Sequence, residues 1–165
     1  MNFLKMLTRA SKAMTKASRQ KPPPKNTPVR PKPFTVQNKL SPGAMIACRE
    51  GSYPFAVVGE ARYQDALSRI VGGHNRDGHG HECDALLVPE PANKYDPYAV
   101  QVLIGGEPVG YVPKEATARI HAAWASFGPL VCRARIDGGW RTNQHDAGHF
   151  GVKLAIPNRG KIAVV

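Results

Sequence analysis

The sequence predicts a mostly β domain, a small barrel carrying two short helices, attached to a long basic N-terminal tail. Three observations predict it. Short apolar runs recur between turn glycines over residues 53–157, only two segments in that stretch keep helical spacing, and the composition changes abruptly near residue 50. Residues 1–49 hold 11 Lys/Arg and no Asp or Glu, whereas residues 50–165 hold 12 of each sign. The net charge of +11 therefore belongs to the tail. A polycation of this kind gains affinity for phosphate or anionic lipid by releasing counterions. The folded part carries no net charge and must read any ligand through a local site.

The tail divides in two. In residues 1–20, Phe3, Leu4, Met6, Leu7, Ala10, Met14 and Ala17 share one face at 100° per residue, opposite Lys5, Arg9, Lys12, Lys16 and Arg19. Segment 3–19 suits an anionic membrane surface, an organelle transit peptide, a helix that docks on a partner, or simply a solvated arm. Residues 21–49 form a Pro/Lys/Arg-rich linker, expected to be extended and disordered, with six prolines from Pro22 to Pro33. The three cysteines, Cys48, Cys83 and Cys132, fit neither a disulfide framework nor a CxxC zinc ribbon and point to a reducing, cytoplasmic setting. No run approaches the roughly 18 apolar residues of a membrane span.

Residues 50–165 are read as the folded domain. Phe55–Gly59 reads as a buried strand ending at a glycine. Tyr63, Ala66, Leu67, Ile70 and Val71 then follow i, i+3, i+4, i+7, i+8 spacing, and Gly72-Gly73 stops that helix. A polar His- and Gly-rich loop is expected from His74 to His81. Strands follow at Cys83–Pro89 and Val100–Ile104, with Gly105-Gly106 turning into a third at Val109–Val112. Pro113 suits a first helical turn, and Ala116, Ile120, Ala123, Trp124 and Phe127 form the apolar face of the second helix, closed by Gly128-Pro129. Leu130–Ile136 and Phe150–Ile156 are the last strands, around a loop at Asp137–His149.

The most distinctive segment is Leu87–Val100, a Pro-punctuated connection that projects Asn93, Tyr95 and Asp96 together. An aromatic ring can stack a base, and a carboxylate or amide can hydrogen-bond a sugar hydroxyl or base edge. A carboxylate repels phosphate, so Asp96 in such a site should meet a hydroxyl or an amino group. The same residues also suit an Asx turn satisfied by its own backbone, and chemistry alone leaves both open. His74, His79, His81 and Cys83 could supply zinc ligands, but no CxxC or HxxxH frames them, so no metal and no cofactor is expected. His145 and His149 at a strand entry read as structural. No GxSxG, P-loop, HExxH or deaminase pattern is present, and no catalytic residue is expected.

Val57-Val58-Gly59 with Tyr63, the loop Asn93-Lys94-Tyr95-Asp96-Pro97-Tyr98-Ala99-Val100, and Gly106-x-x-Val109-Gly110-Tyr111-Val112 together resemble the HIRAN domain, in its short stand-alone bacterial form. The resemblance implies an OB-like barrel of about six strands with helical additions. It also implies capture of the 3′-hydroxyl end of single-stranded DNA. By position, Tyr95 would stack the terminal base, Asp96 would accept from the 3′-hydroxyl and Asn93 would support the loop. Lys114 would contact a phosphate, and Tyr111 and Phe150 would line the groove beside Arg62 and Tyr63. The chain departs from the end-binding members at three positions. Arg62 replaces an aromatic residue, Tyr98 stands where Asn is common, and Lys94 where Pro is usual.

The expected function is thus a non-catalytic module for single-stranded DNA in repair or processing, monomeric, with a helicase or nuclease acting in trans. The alternative is a protein-interaction or membrane-recruited adaptor that uses the basic N-terminal helix.

Overall fold

The computed structural model describes residues 43–165. The amphipathic segment 3–19 and most of the Pro-rich linker lie outside the described residues. Among the described residues, nine strands and two α-helices follow in chain order: β1 (Ala44–Met45), β2 (Phe55–Ala56), α1 (Gln64–Val71), β3 (His79–Pro89), β4 (Val100–Ile104), β5 (Glu107–Tyr111), α2 (Lys114–Phe127), β6 (Leu130–Gly138), β7 (Arg141–Asn143), β8 (Asp146–Ala147) and β9 (Phe150–Leu154).

Six strands of a seven-stranded sheet follow the order β2-β9-β6-β3-β4-β5, and β1 joins it by pairing with β6. Neighbours along this path pair antiparallel, and β3 with β6 makes the longest ladder, from His79 against Gly138 to Leu87 against Leu130. The sheet curls until its ends meet. Just after β2, Val58 exchanges two 2.9 Å backbone hydrogen bonds with Tyr111 of β5. The mostly β, OB-like barrel with two helices is therefore the fold observed.

The core follows from period-2 alternation. Along β6, Leu130, Cys132, Ala134 and Ile136 are buried while Arg133 and Arg135 face solvent. Ala85 and Ala134 keep the interior narrow where β3 crosses β6, and Leu87, Val100, Val102, Val109, Val152 and Leu154 fill the rest. Each large aliphatic side chain buried this way contributes about 1.5–3 kcal/mol. Leu67 of α1 and Ala116, Ile120 and Ala123 of α2 plug the same interior. Gly72, at φ +83°, takes the left-handed conformation that ends α1.

Several expectations need correcting. β3 begins at His79 rather than Cys83, because its first residues are polar and pair with β6 through the backbone, with no apolar alternation to mark a strand. The segment expected as a loop at Asp137–His149 contains the exposed hairpin β7–β8. β1 falls inside the segment read as linker: it runs parallel to the start of β6, and Ile46 is buried beside it. Phe127 lies outside the buried face of α2 and is half exposed. Cys132 is fully buried, which pushes its thiol pKa far up, and Cys83 packs partly buried against the same core. No helix among the described residues is long and apolar enough to cross a membrane.

Candidate nucleic-acid interface

The three distinctive sequence segments converge at one end of the barrel. β3 delivers the chain to Pro89, β4 takes it away at Val100, β5 ends at Tyr111, and α2 starts at Lys114. The Val58–Tyr111 bridge brings the strand end that leads into Glu60–Arg62 and Tyr63 alongside. Gly110 makes this closure possible. A Cβ there would collide with the Val57 side chain and lie 2.7 Å from the Val58 carbonyl, and its φ of +142° disfavours other residues.

The loop between β3 and β4 is pinned by its own polar side chains. Glu90 N–H donates to the Ala99 carbonyl at 2.8 Å, closing the base of the loop. Asn93 Oδ1 accepts from the N–H groups of Tyr95 (2.9 Å) and Asp96 (3.2 Å), while its Nδ2 donates to Glu90 Oε2 at 2.8 Å. Asp96 Oδ1 accepts from Tyr98 N–H at 2.8 Å. Two successive Asx turns thus fix the backbone. The Asx-turn reading of this loop is the one observed, and it leaves the Tyr95 side chain outside the turn. The Tyr95 ring is 91% exposed. Among the described residues no donor reaches Asp96 Oδ2.

The Tyr111 side chain lies near both Tyr63 of the first motif and Glu90 of this loop. Burial first, then the Tyr63 phenol and the Glu90 carboxylate, push its phenol well above the ordinary tyrosine range, so it stays neutral and can donate. Tyr63, half-buried, opens α1, and Arg62 is exposed one residue earlier. Lys114 is exposed at the first turn of α2, where the helix N-terminus adds positive potential.

Asp96 and Lys114 line one open cleft of about 580 Å³, together with Tyr98, Thr117, Ala118 and His121. A smaller hollow of about 400 Å³ between Ala47–Arg49 and Pro157–Asn158 contains none of the expected residues.

Phe150 does not join this surface. Expected to line the groove, it is 1% exposed, with the rings of His74 and His79 packed over it at centroid distances of 4.7 and 5.7 Å. Its place at the start of β9, facing inward, makes it core. Its backbone is held by Gln64, whose amide accepts from Phe150 N–H (2.8 Å) and donates to its carbonyl (2.9 Å), which docks α1 on β9. Sequence reasoning missed Gln64, Glu90, Thr117, Ala118 and His121 in these roles. Glu90 alone carried a signal, standing three residues before Asn93.

The HIRAN domain family matches residues 51–139. This chain belongs to the HIRAN family. HIRAN domains are nucleic-acid-binding modules that take the 3′ end of single-stranded DNA, and in general they bind rather than catalyse. Neither the curated proteins nor the solved structures give a match. The matched stretch holds every motif that meets at this end of the HIRAN barrel, from Val57 to Lys114.

Proposed function

We propose that the folded domain, residues 50–165, captures the 3′-hydroxyl end of single-stranded DNA during repair or processing, without catalysis of its own. The observation that carries this reading is the division of labour in the β3–β4 loop. Asn93 and one oxygen of Asp96 hold the backbone, which leaves the Tyr95 ring bare and Asp96 Oδ2 open beside Lys114.

Each group then has a distinct task. Tyr95 offers a base a flat apolar face on a backbone that is already ordered, so little entropy is lost on binding. Asp96 accepts a hydrogen bond from the terminal hydroxyl and repels a terminal phosphate. Lys114 neutralises the phosphate on the 5′ side of the last sugar. Tyr63 and Tyr111 lie near Glu90 at the base of the loop, and Arg62 offers a second cation. The basic segment 1–49 adds salt-dependent affinity that reads no sequence, which the neutral barrel cannot supply.

The test is a comparison of two DNA ends. Asp96→Ala should cost about 1.5–3 kcal/mol on an oligonucleotide ending in a 3′-hydroxyl, the strength of a charge-assisted hydrogen bond. It should cost little on the same oligonucleotide ending in a 3′-phosphate. Asp96→Asn keeps an oxygen for the Tyr98 N–H, so it separates the ligand contact from the turn. Equal weakening of both ends by both substitutions would sink end capture.

A further inference from the structure

We propose that the cleft between Tyr98 and α2 is a second nucleotide site, which takes the nucleotide preceding the 3′ end and favours cytosine over thymine there. This rests on the end-capture reading and assigns ligand roles to Tyr98 and His121.

The geometry separates two places for two bases. Tyr95 projects into solvent and does not line the cleft, whereas its neighbour Asp96 does. A terminal nucleotide with its base on Tyr95 and its sugar at Asp96 leaves the cleft for whatever is joined to its 5′ oxygen. The first such group is the linking phosphate, and Lys114 lines the cleft as a compact cation. The next is a sugar and a base. A cleft of about 580 Å³ has the room for them, since small-molecule sites run from about 300 to 1,000 Å³.

The walls suit a base. Lys114, Thr117, Ala118 and His121 stand at i, i+3, i+4 and i+7 on α2, so one side of the cleft is a rigid helical face with the small Thr117 and Ala118 at its middle. Opposite, Tyr98 is 68% exposed and meets His121 edge to face, with ring centroids 6.0 Å apart and an interplanar angle of 88°. The contact uses the edge of one ring, so a ring face remains for stacking. Tyr98 is also held in place: its N–H is bound by Asp96 and its carbonyl by His121.

That last bond sets the chemistry of the imidazole. His121 Nε2 lies 3.0 Å from the Tyr98 carbonyl oxygen, which can only accept, so Nε2 carries a hydrogen. In the neutral ring Nδ1 is then an acceptor. An acceptor pairs with the 4-amino group of cytosine and opposes the 4-carbonyl of thymine, two bases of nearly the same shape. The Thr117 hydroxyl does not offset this preference, because it is donated to the Lys114 carbonyl at 3.0 Å.

The test uses the full chain and ten-nucleotide strands with a free 3′-hydroxyl, in salt high enough to suppress binding by residues 1–49. Replacing the penultimate base with an abasic sugar should weaken wild-type binding about ten-fold, within the range for one stacked base. Tyr98→Ala should bind both strands equally while keeping its preference for a 3′-hydroxyl over a 3′-phosphate. Exchanging penultimate cytosine for thymine should cost the wild type several-fold and cost His121→Phe nothing. Should Tyr98→Ala respond to the abasic sugar as the wild type does, the second site is wrong although end capture stands. If wild-type protein binds 3′-hydroxyl and 3′-phosphate strands equally, end capture fails and this proposal fails with it.

Discussion

Two polar connectors flank β3, and they spend their side chains in opposite ways. On one side lie Gly72–Gly78, leading into His79; on the other lies the loop from Glu90 to Ala99. In the first, His79 Nε2 donates to the Gly73 carbonyl at 2.8 Å, and the rings of His74 and His79 close over Phe150. In the second, Asn93 and Asp96 satisfy the backbone, and the Tyr95 and Tyr98 rings remain exposed. Both segments invite a functional reading from composition, one through histidines and the other through tyrosines. What separates them is where the hydrogen bonds go. A polar ring already bonded and packed over the core supports the fold. An exposed ring on a backbone fixed by other residues is available to a ligand.

The largest effect that can break this comparison lies beneath the histidines. Phe150→Ala removes a fully buried ring from under His74 and His79 and should destabilise the domain by about 3–5 kcal/mol. Thermal or urea unfolding measures it, and oligonucleotide affinity should hold wherever the protein stays folded. Unchanged stability with lost DNA binding would put Phe150 back in the groove.

Tyr95→Ala is the counterpart on the other loop. The ring touches solvent, so stability should change by no more than about 0.5 kcal/mol. Affinity for single-stranded DNA should fall by about 1–3 kcal/mol, because a stacking platform is gone. Calorimetry on one sample yields both numbers. A loss of stability as large as the loss of affinity would make Tyr95 a packing residue and erase the contrast between the two loops.

How much of this was legible in the sequence depends on which force shapes each element. The barrel strands were legible because burial imposes alternation: Val100–Ile104 was bounded as observed, and Leu130–Ile136 needed only a short polar extension. The motif glycine was legible as a pattern, but its cause, Val57 and Val58 passing across Gly110, is a contact between segments about fifty residues apart. Elements without an alternating apolar face were not. The hairpin β7–β8 is exposed throughout, and β1 is two residues long beside a Pro-rich stretch. In the site, Asn93, Tyr95 and Asp96 were legible because they sit together in one loop. Thr117, Ala118 and His121 were not, since only the docking of α2 against that loop gives them a shared cleft.

The smallest predicted effect tests the histidine loop itself. His79→Ala removes one hydrogen bond to the Gly73 carbonyl and a ring edge over Phe150. A neutral hydrogen bond contributes about 0.5–1.5 kcal/mol, and water can reach the carbonyl at this half-buried position, so the cost should be about 1 kcal/mol. The neighbouring Asn75 amide also contacts the ring, at 3.3 Å from Nε2, and is freed by the same change. Oligonucleotide affinity should not move, because the cleft of Asp96, Tyr98 and Lys114 shares no residue with this segment. Adding zinc should not raise the melting temperature of either protein, since the described residues bring no three His, Cys, Asp or Glu side chains together as ligands around these rings. Zinc stabilisation of the wild type that disappears in His79→Ala would show that these histidines serve a ligand after all, and the contrast between the two connectors would fall.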